Sequence, residues 1–419
     1  MHIAQVSELQ QTEPFLQEKL TVMVFGASGD LAKKKTYPSL LALYQGQMLP
    51  SDTIILGYAR TAMSDEKFRS GIEPFLLGKN PSPERKVHVA NFLKLCVYRA
   101  GQYDSGDDVG RATADLAQLH TATKQVENRV FYLALPPLQF ASTVASVKKT
   151  GLTLSGFNRF VVEKPFGRDT ESARALGKSL SELFSEDHLY RIDHYLGKEL
   201  VQNLVVLRFA NAFLEPLWNR TYVSAIQVSF KEDIGTQGRG GYFDESGIIR
   251  DVIQNHLMQV LSIVTMESPI RVSGGDYANF VRDEKVKVLR ACRPIKREDV
   301  VVGQYVTNGT EPGYLDDPTV PKGSKTPTFA TCVMYIDNAR WAGVPIIVKA
   351  GKGLDDRRAE IRVQFKPPPA AASMFGGQPT PQNELVIRLQ PNEAIYMKTN
   401  VKKPGLHTVP LQVCLFFLW

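Results

Sequence analysis

Cysteine is scarce in this chain. Cys96, Cys292, Cys332 and Cys414 are the only four in 419 residues, and none belongs to a C-x-x-C pair. That excludes a disulfide framework and offers no zinc-type spacing, so the thiols read as reduced and packed in a cytoplasmic protein; no metal is expected. Long apolar runs are missing too: no stretch reaches the roughly eighteen residues that a membrane-spanning helix needs, and no membrane association is expected. The stretch Met1–Lys19 is polar and carries several acids, which fits neither a secretory apolar region nor an Arg-rich, acid-poor transit peptide. Nor is there a strong excess of either charge. Lysine and arginine number 50 against 43 acids, a net +7 with no dense basic cluster. This balance suits anionic small ligands and argues against nucleic acid.

What is present is enough apolar material, 43% of the chain, for two domains with substantial cores. From about Leu20, short strand-like runs alternate with helical stretches. Thr21–Phe25, Thr53–Tyr58, Lys94–Tyr98, Val130–Leu135 and Phe160–Val162 read as strands; Leu31–Tyr44 and Val109–Leu119 read as helices. This alternation predicts a parallel, doubly wound sheet. Beyond about residue 190 the pattern changes. Glu199–Phe213 and Gly247–Met266 read as helices, and Ile226–Lys231 as a strand. Thr331–Asp337, Ile346–Lys349, Ile361–Phe365, Leu385–Leu389 and Ile395–Lys398 then follow as strands without helices between them. They predict a large, mainly antiparallel sheet in an α+β domain.

The segment Gly26-Ala27-Ser28-Gly29-Asp30-Leu31-Ala32 closes the first strand and opens a helix. Its G-x-x-G-x-x-A spacing is a variant of the Rossmann dinucleotide fingerprint. Gly26 permits the tight turn, Gly29 the close approach of a pyrophosphate, and Ala32 close packing of helix on strand. After the second strand the chain reads Gly57-Tyr-Ala-Arg60. NAD sites place an acid near there to hold the ribose; a guanidinium instead binds a 2′-phosphate in a fork, so the expected coenzyme is NADP. Lys33, Lys34 and Lys35 add positive charge, although a solvated helix face would look the same.

Arg191-Ile-Asp193-His194-Tyr195-Leu-Gly-Lys198-Glu199 is the most informative stretch. An imidazole, a phenol and an ammonium near a helix start suit a phosphate, since free backbone N–H groups there attract anions. His194 and Lys198 are four apart, so on a helix they share a face. Within Gly247–Met266, His256 lies on the apolar stripe with Val252, Val260 and Leu261. It is either a hydrogen-bonded core histidine or a general base in a dry cleft. Asp251, five residues back, and Asp193 are both available as its carboxylate partner. Phe160–Gly167 carries Glu163-Lys164-Pro165 off the end of a strand, where doubly wound folds bind ligands, and Pro165 could take the cis form. Phe230-Lys-Glu232 ends another strand before the Gly-rich segment 235–241, where a carboxylate can accept from sugar hydroxyls.

Taken together, Gly26–Lys35, Glu163–Asp169, Arg191–Glu199, Gly238–Asp244 and Gly247–His256 resemble the glucose-6-phosphate dehydrogenases, in particular the eukaryotic cytosolic type. The resemblance runs from about Leu20 to about Gly405. It implies an NADP-binding Rossmann domain over residues 1–190 and a substrate-binding and dimerisation α+β domain over residues 191–419. It implies oxidation of glucose 6-phosphate by NADP, with His256 as base and Asp193 as its carboxylate partner. His194, Tyr195 and Lys198 are implied to grip the phosphate, Lys164 to touch substrate and coenzyme, and Glu232, Asp251, Lys352 and Gln390 to contact the substrate. Gly26, Ala27, Ser28, Gly29, Asp30, Leu31, Ala32, Lys33, Lys35, Arg60 and Lys164 match the coenzyme site. Lys349, Arg358, Arg362, Arg388, Tyr396 and Lys398 fall on positions associated with a second, structural NADP. A homodimer or homotetramer is implied as well.

After Gly405 the resemblance is expected to stop. Leu406–Trp419 is strongly apolar, as an altered or truncated C-terminus would be, and the antiparallel sheet is expected to be incomplete at that end. Two alternatives follow: a related dehydrogenase acting on another sugar or polyol, or a catalytically impaired truncated isoform acting as a binding or modulating subunit.

Overall fold

The structure is a computed structural model. It describes residues 14–419 apart from 115, 121–125, 275–276, 310, 378 and 418–419, so most of the polar N-terminal stretch lies outside the described residues. The chain divides into two units, Met1–Ile192 and Asp193–Trp419.

In the first unit, β1 (Lys19–Phe25), β2 (Asp52–Ala59), β3 (Cys96–Ala100), β4 (Glu127–Leu133), β5 (Asn158–Val162) and β6 (Leu189–Arg191) form one parallel sheet in the order β3-β2-β1-β4-β5-β6. β1 and β2 are buried on both faces, which is why they read as apolar runs and not as alternation. One face packs on α1 (Tyr37–Gln45), α2 (Asp65–Leu77) and α3 (Pro83–Lys94) through Tyr37, Leu40, Phe68, Ile72 and Phe92. The other packs on α4 (Gly106–Ala114) and α5 (Phe140–Thr150) through Val109, Phe140, Val144 and Val147. Local chemistry starts the helices. Ser64 and Ser82 accept from the backbone N–H groups of Lys67 and Arg85, and Asp169 forms a capping box with Ser172 at the start of α6 (Thr170–Ser181). Lys94–Tyr98 is not all strand: Lys94 ends α3, and pairing begins at Cys96.

The second unit is built on eight strands, β7 (Val223–Lys231), β8 (Val300–Gly303), β9 (Phe329–Met334), β10 (Ile346–Gly351), β11 (Arg358–Phe365), β12 (Glu384–Gln390), β13 (Ala394–Lys402) and β14 (Pro410–Phe417). Their order is β14-β13-β12-β11-β7-β10-β9-β8, antiparallel except that β10 runs parallel to β7. Alternation sorts the two faces. Ile226, Val228, Ile346, Val348, Ile361, Val363, Leu385 and Ile387 point into the core, under α7 (Glu199–Phe209), α8 (Met258–Thr265) and α9 (Tyr277–Ala291). α7 stops four residues short of the expected Phe213.

The C-terminal segment departs from expectation. Residues 410–417 do not leave β13 bare; they pair with it over eight positions, Lys402↔Pro410 to Ile395↔Phe417. The period-2 pattern of Leu411, Val413 and Leu415 is a strand pattern that composition alone disguised as a foreign tail. β14 is nonetheless an edge strand, and Leu415 (53%) and Phe416 (64%) are largely exposed.

Candidate functional site

At the C-terminal end of β1 the backbone itself makes the cradle. Gly26 has φ +80°, and a Cβ there would lie 2.3 Å from the carbonyl oxygen of Ala134, which follows β4. Its N–H donates to the Tyr58 carbonyl at 2.9 Å, so the turn is clamped between the ends of β2 and β4. Only glycine fits. The next residues wind into a π-type turn, Ala32–Thr36, leading into α1, with Ala32 wholly buried against the sheet. Lys34 pairs with Asp30 at 2.7 Å on the exposed face. Arg60, exposed just after β2, has its guanidinium 5.8 Å from the Tyr103 ring centroid. Lys164 precedes a cis peptide to Pro165 at the end of β5, and its neighbour Glu163 accepts from the Tyr132 hydroxyl at 2.5 Å.

In the second unit, His194–Gly197 is a single 3-10 turn, and Lys198 is extended (φ −76°, ψ 131°) before α7 begins. His194 and Lys198 therefore do not share one face of a continuous helix, as their spacing suggested. The Asp193 side chain caps the start of the short turn by accepting from Tyr195 N–H at 2.9 Å, and the turn ends where Lys198 becomes extended. The same carboxylate oxygen lies 2.5 Å from His256 Nδ1. Burial pushes the Asp193 pKa up, but the hydrogen bond and charge of His256 and the Tyr195 N–H outweigh it and hold the carboxyl below its usual range. An ionised acid only accepts, so His256 Nδ1–H donates and Nε2 is left as the basic nitrogen. His256 is 4% exposed, and Asp193 rather than Asp251 is its partner.

His256 sits in a π-type stretch, Ile249–Leu257, that runs into α8. The far end of that helix is fixed by side chains from elsewhere. Arg208 donates to the carbonyls of Ile263 (2.6 Å) and Met266 (2.7 Å), Trp218 to that of Val264 (2.8 Å), and Trp341 to that of Thr265 (2.7 Å). Four carbonyls that a buried helix end would leave unpaired are satisfied, which holds the histidine's helix rigidly.

Tyr195, 1% exposed, stacks on His256 with centroids 4.6 Å apart and an 18° interplanar angle. His194 meets the same imidazole edge-on at 4.4 Å. Burial, with Glu232 and Asp193 nearby, raises the Tyr195 pKa, so its hydroxyl stays a donor; it has no hydrogen-bond partner among the described residues. Lys198 Nζ lies 5.1 Å from the centroid of that ring and donates to Gln390 Oε1 at 2.8 Å. Asp193, His194 and His256 bring their ligand-capable atoms within 4.8 Å, a spacing a metal ion could use. The adjoining ammonium favours an anion. Lys352 donates to Glu232, and the backbones carrying them are zipped by Glu232 N–H to Gly351 O and Leu354 N–H to Glu232 O, each 2.9 Å. Asp251 stands one turn before His256 on the same π-type stretch. Arg357, which sequence reading passed over, is an exposed cation in the Lys352 loop whose charge acts on Tyr195. Its signal was the basic residue five beyond Lys352.

The third group lies on the polar face of the large sheet. Glu360 is opposite Arg388, Glu384 opposite Lys398, and Val386 opposite both Arg362 and Tyr396. Ion pairs tie Arg362 to Glu360 (2.7 Å), Lys398 to Glu384 (2.8 Å) and Arg358 to Asp356 (2.9 Å). Lys349 lies 5.6 Å from the Phe329 ring centroid, and Arg388 has its guanidinium 5.7 Å from that of Tyr396. Arg388 Nε is buried without a hydrogen-bond partner among the described residues.

Two family models cover the chain: the glucose-6-phosphate dehydrogenase NAD binding domain matches residues 23–203, and the C-terminal domain of the same enzyme matches residues 205–417. The chain belongs to the glucose-6-phosphate dehydrogenase family. The match to residue 417 takes in β14, so the resemblance does not stop at Gly405. Among relatives, the chain is 51% identical to the cytoplasmic isoform of glucose-6-phosphate 1-dehydrogenase from Solanum tuberosum, over 94% of this chain and 75% of that one. It is 49% identical to the Dictyostelium discoideum glucose-6-phosphate 1-dehydrogenase, over 94% and 78%. A solved glucose-6-phosphate dehydrogenase in complex with glucose 6-phosphate superposes with a TM-score of 0.89 at 47% identity, covering 96% of this chain and 81% of that one. The Mycobacterium avium enzyme gives 0.80 at 32% identity, covering 96% and 84%.

Proposed function

We propose that the chain oxidises D-glucose 6-phosphate to 6-phospho-D-glucono-1,5-lactone with reduction of NADP to NADPH, the first step of the oxidative pentose phosphate pathway. Family membership over nearly the whole chain supports this reading. The observation that carries it at the site is the 2.5 Å contact between His256 and Asp193 beside the Tyr195 hydroxyl and Lys198.

His256 Nε2 is assigned the proton of the sugar C1 hydroxyl, and Asp193 stabilises the imidazolium that results. Such a base contributes roughly 10²–10⁴-fold. Tyr195, His194 and Lys198, with Arg357 adding charge, are assigned to the phosphate. A charge-assisted hydrogen bond there is worth about 1.5–3 kcal/mol, and gripping a group remote from C1 orients the reacting carbon. Glu232, Lys352, Asp251 and Gln390 are assigned to the rest of the sugar, and Lys164 to substrate and coenzyme. NADP, when bound, accepts the hydride from C1. The side-chain-free turn at Gly26 fits its pyrophosphate, and Arg60 is assigned to the 2′-phosphate. The polar sheet face, with its unpaired Arg388 Nε, supports a second NADP held by Lys349, Arg358, Arg362, Arg388, Tyr396 and Lys398. Residues 1–190 then serve the coenzyme and 191–419 the substrate and self-association.

The two 51% identical relatives, from Solanum tuberosum and Arabidopsis thaliana, are named as cytoplasmic, against 49% for chloroplastic ones, which supports a cytoplasmic location; no described helix is long and apolar enough to cross a membrane. The exposed β14 edge supports a homodimer or homotetramer. Nothing described favours the alternative of an impaired binding subunit. The test is NADPH absorbance with glucose 6-phosphate, glucose and inorganic phosphate plus glucose. NADPH formation with the sugar phosphate alone is expected; equal rates with glucose would refute the assignment.

A further inference from the structure

Glu232 and Lys352 face each other from two loops that leave the ends of β7 and β10. Beyond the strand ends the two loops are joined by backbone hydrogen bonds, including Gly353 N–H to the Ile234 carbonyl at 2.9 Å. A side chain from a third segment then packs against both. Tyr305 lies beneath both: a Cβ on Gly353 would come within 2.9 Å of Tyr305 Cγ, and a Cβ on Gly235 within 2.6 Å of its hydroxyl oxygen. Both glycines give up a side chain so that the ring can enter, and Gly353 has φ +62° besides. The ring is backed by the wholly buried Tyr314, with centroids 5.8 Å apart.

The hydroxyl completes the arrangement. Tyr305 Oη accepts from Thr236 N–H at 3.0 Å and lies 3.2 Å from Thr236 Oγ1. Thr236 Oγ1 has one hydrogen, which it donates to Asp317 Oδ2 at 3.1 Å. The tyrosine must therefore donate to the threonine. Asp317 Oδ2 also accepts from Gly240 N–H at 3.0 Å. Hydrogen bonds to Thr319 hold its carboxyl below the usual range, so it stays an acceptor. Meanwhile Lys352 N–H donates to the Thr328 carbonyl (3.0 Å), and Tyr305 N–H to the Thr328 hydroxyl (3.0 Å). The loop bearing Glu232 and the loop bearing Lys352 are thus registered against one tyrosine.

We infer that the Tyr305–Thr236–Asp317 chain is a positioning element that sets the Glu232–Lys352 pair for recognition of the sugar hydroxyls. The inference rests on the assignment of that pair to the sugar. It makes Tyr305, Thr236 and Asp317 determinants of substrate discrimination, although none of them is assigned to the substrate.

The test compares wild type with Thr236→Val, which keeps the shape and removes the hydroxyl, Thr236→Ser, which restores it, and Tyr305→Phe. In Thr236→Val and Tyr305→Phe, KM for glucose 6-phosphate should rise about fivefold, equivalent to ~1 kcal/mol, with KM for NADP unchanged. Preference for glucose 6-phosphate over its deoxy analogues should fall by a similar factor, and Thr236→Ser should recover both. Amide exchange of residues 232–241 should quicken in the first two variants. An equal loss against all substrates that serine does not rescue overturns the inference, as does exchange unchanged from wild type. If wild type forms no NADPH from glucose 6-phosphate, the functional assignment has failed, and amide exchange alone decides whether the clamp exists.

Discussion

Gly26 is fixed by what it lacks, His256 by what surrounds it. At the end of β1 the backbone turns at φ +80°, and the Ala134 carbonyl leaves no room for a side chain. One contiguous segment, Gly26–Ala32, contains nearly everything the proposed dinucleotide cradle needs. In the second unit, placement depends on side chains that meet from distant points: Asp193 reaches His256 across 63 residues, and Lys198 reaches Gln390 across 192. The far end of the histidine's helix is held by Arg208, Trp218 and Trp341. A cradle made of backbone tolerates almost any side chain nearby but no change at its glycine. A cluster made of side chains fails wherever one partner is lost, and fails by an amount set by that partner's role.

His256, the proposed base, is where the second region should be most fragile. His256→Asn should lower kcat about 10³-fold while KM for both substrates stays within about threefold, as steady-state NADPH formation would show. Activity within tenfold of wild type would remove the histidine from the mechanism. The matching lesion in the first region is Gly26→Ala. A methyl group 2.3 Å from a carbonyl oxygen forces the loop open, and NADPH affinity measured by fluorescence titration should fall roughly 100-fold. Thermal stabilisation by glucose 6-phosphate should persist in this variant. If both ligands are lost together, the contrast between the regions is wrong.

The same contrast explains what was legible beforehand. The proposed coenzyme loop, the parallel sheet and the strand succession of the second unit show in the sequence because each depends on near neighbours: a spacing of glycines, an apolar run, an alternation. The side-chain cluster was legible as a set of residues but not as a geometry. Both Asp193 and Asp251 stood as partners for His256, since choosing between them requires knowing how the 193–198 turn folds onto a helix some sixty residues later. The helical spacing of His194 and Lys198 misled because Asp193 caps a single turn and the chain straightens before α7. Arg357 went unnoticed because only tertiary structure brings its charge to bear on Tyr195. Composition makes the C-terminal segment look foreign, whereas the period-2 alternation of Leu411, Val413 and Leu415 is a strand pattern, and Pro410–Phe417 pairs with β13.

Arg60→Asp tests coenzyme selection without touching the cradle. Losing a forked contact worth about 1.5–3 kcal/mol should shift the ratio of kcat/KM for NADP over NAD by roughly tenfold to hundredfold toward NAD. An unchanged ratio would assign the 2′-phosphate to Lys33, Lys34 and Lys35, in the turn after Gly26, instead.

The smallest effect separates placement from chemistry at Asp193. Its carboxyl is held below the usual range: burial works against this, but the His256 hydrogen bond and charge and the Tyr195 N–H prevail. A carboxyl whose pKa is lower folded than unfolded contributes stability that is fully present above its unfolded value. That stability is lost as pH falls through the folded value. Asp193→Asn keeps the side-chain shape and cannot ionise. At neutral pH it should cost about 1 kcal/mol, seen as a lowered Tm. The gap from wild type should then narrow as pH drops below about 4, because protonation strips the wild-type carboxyl of the same advantage. A gap that is constant from neutral to acid pH would mean that Asp193 only fills space and caps a turn. In that case the dyad, unlike the Gly26 turn, would owe nothing of its placement to charge.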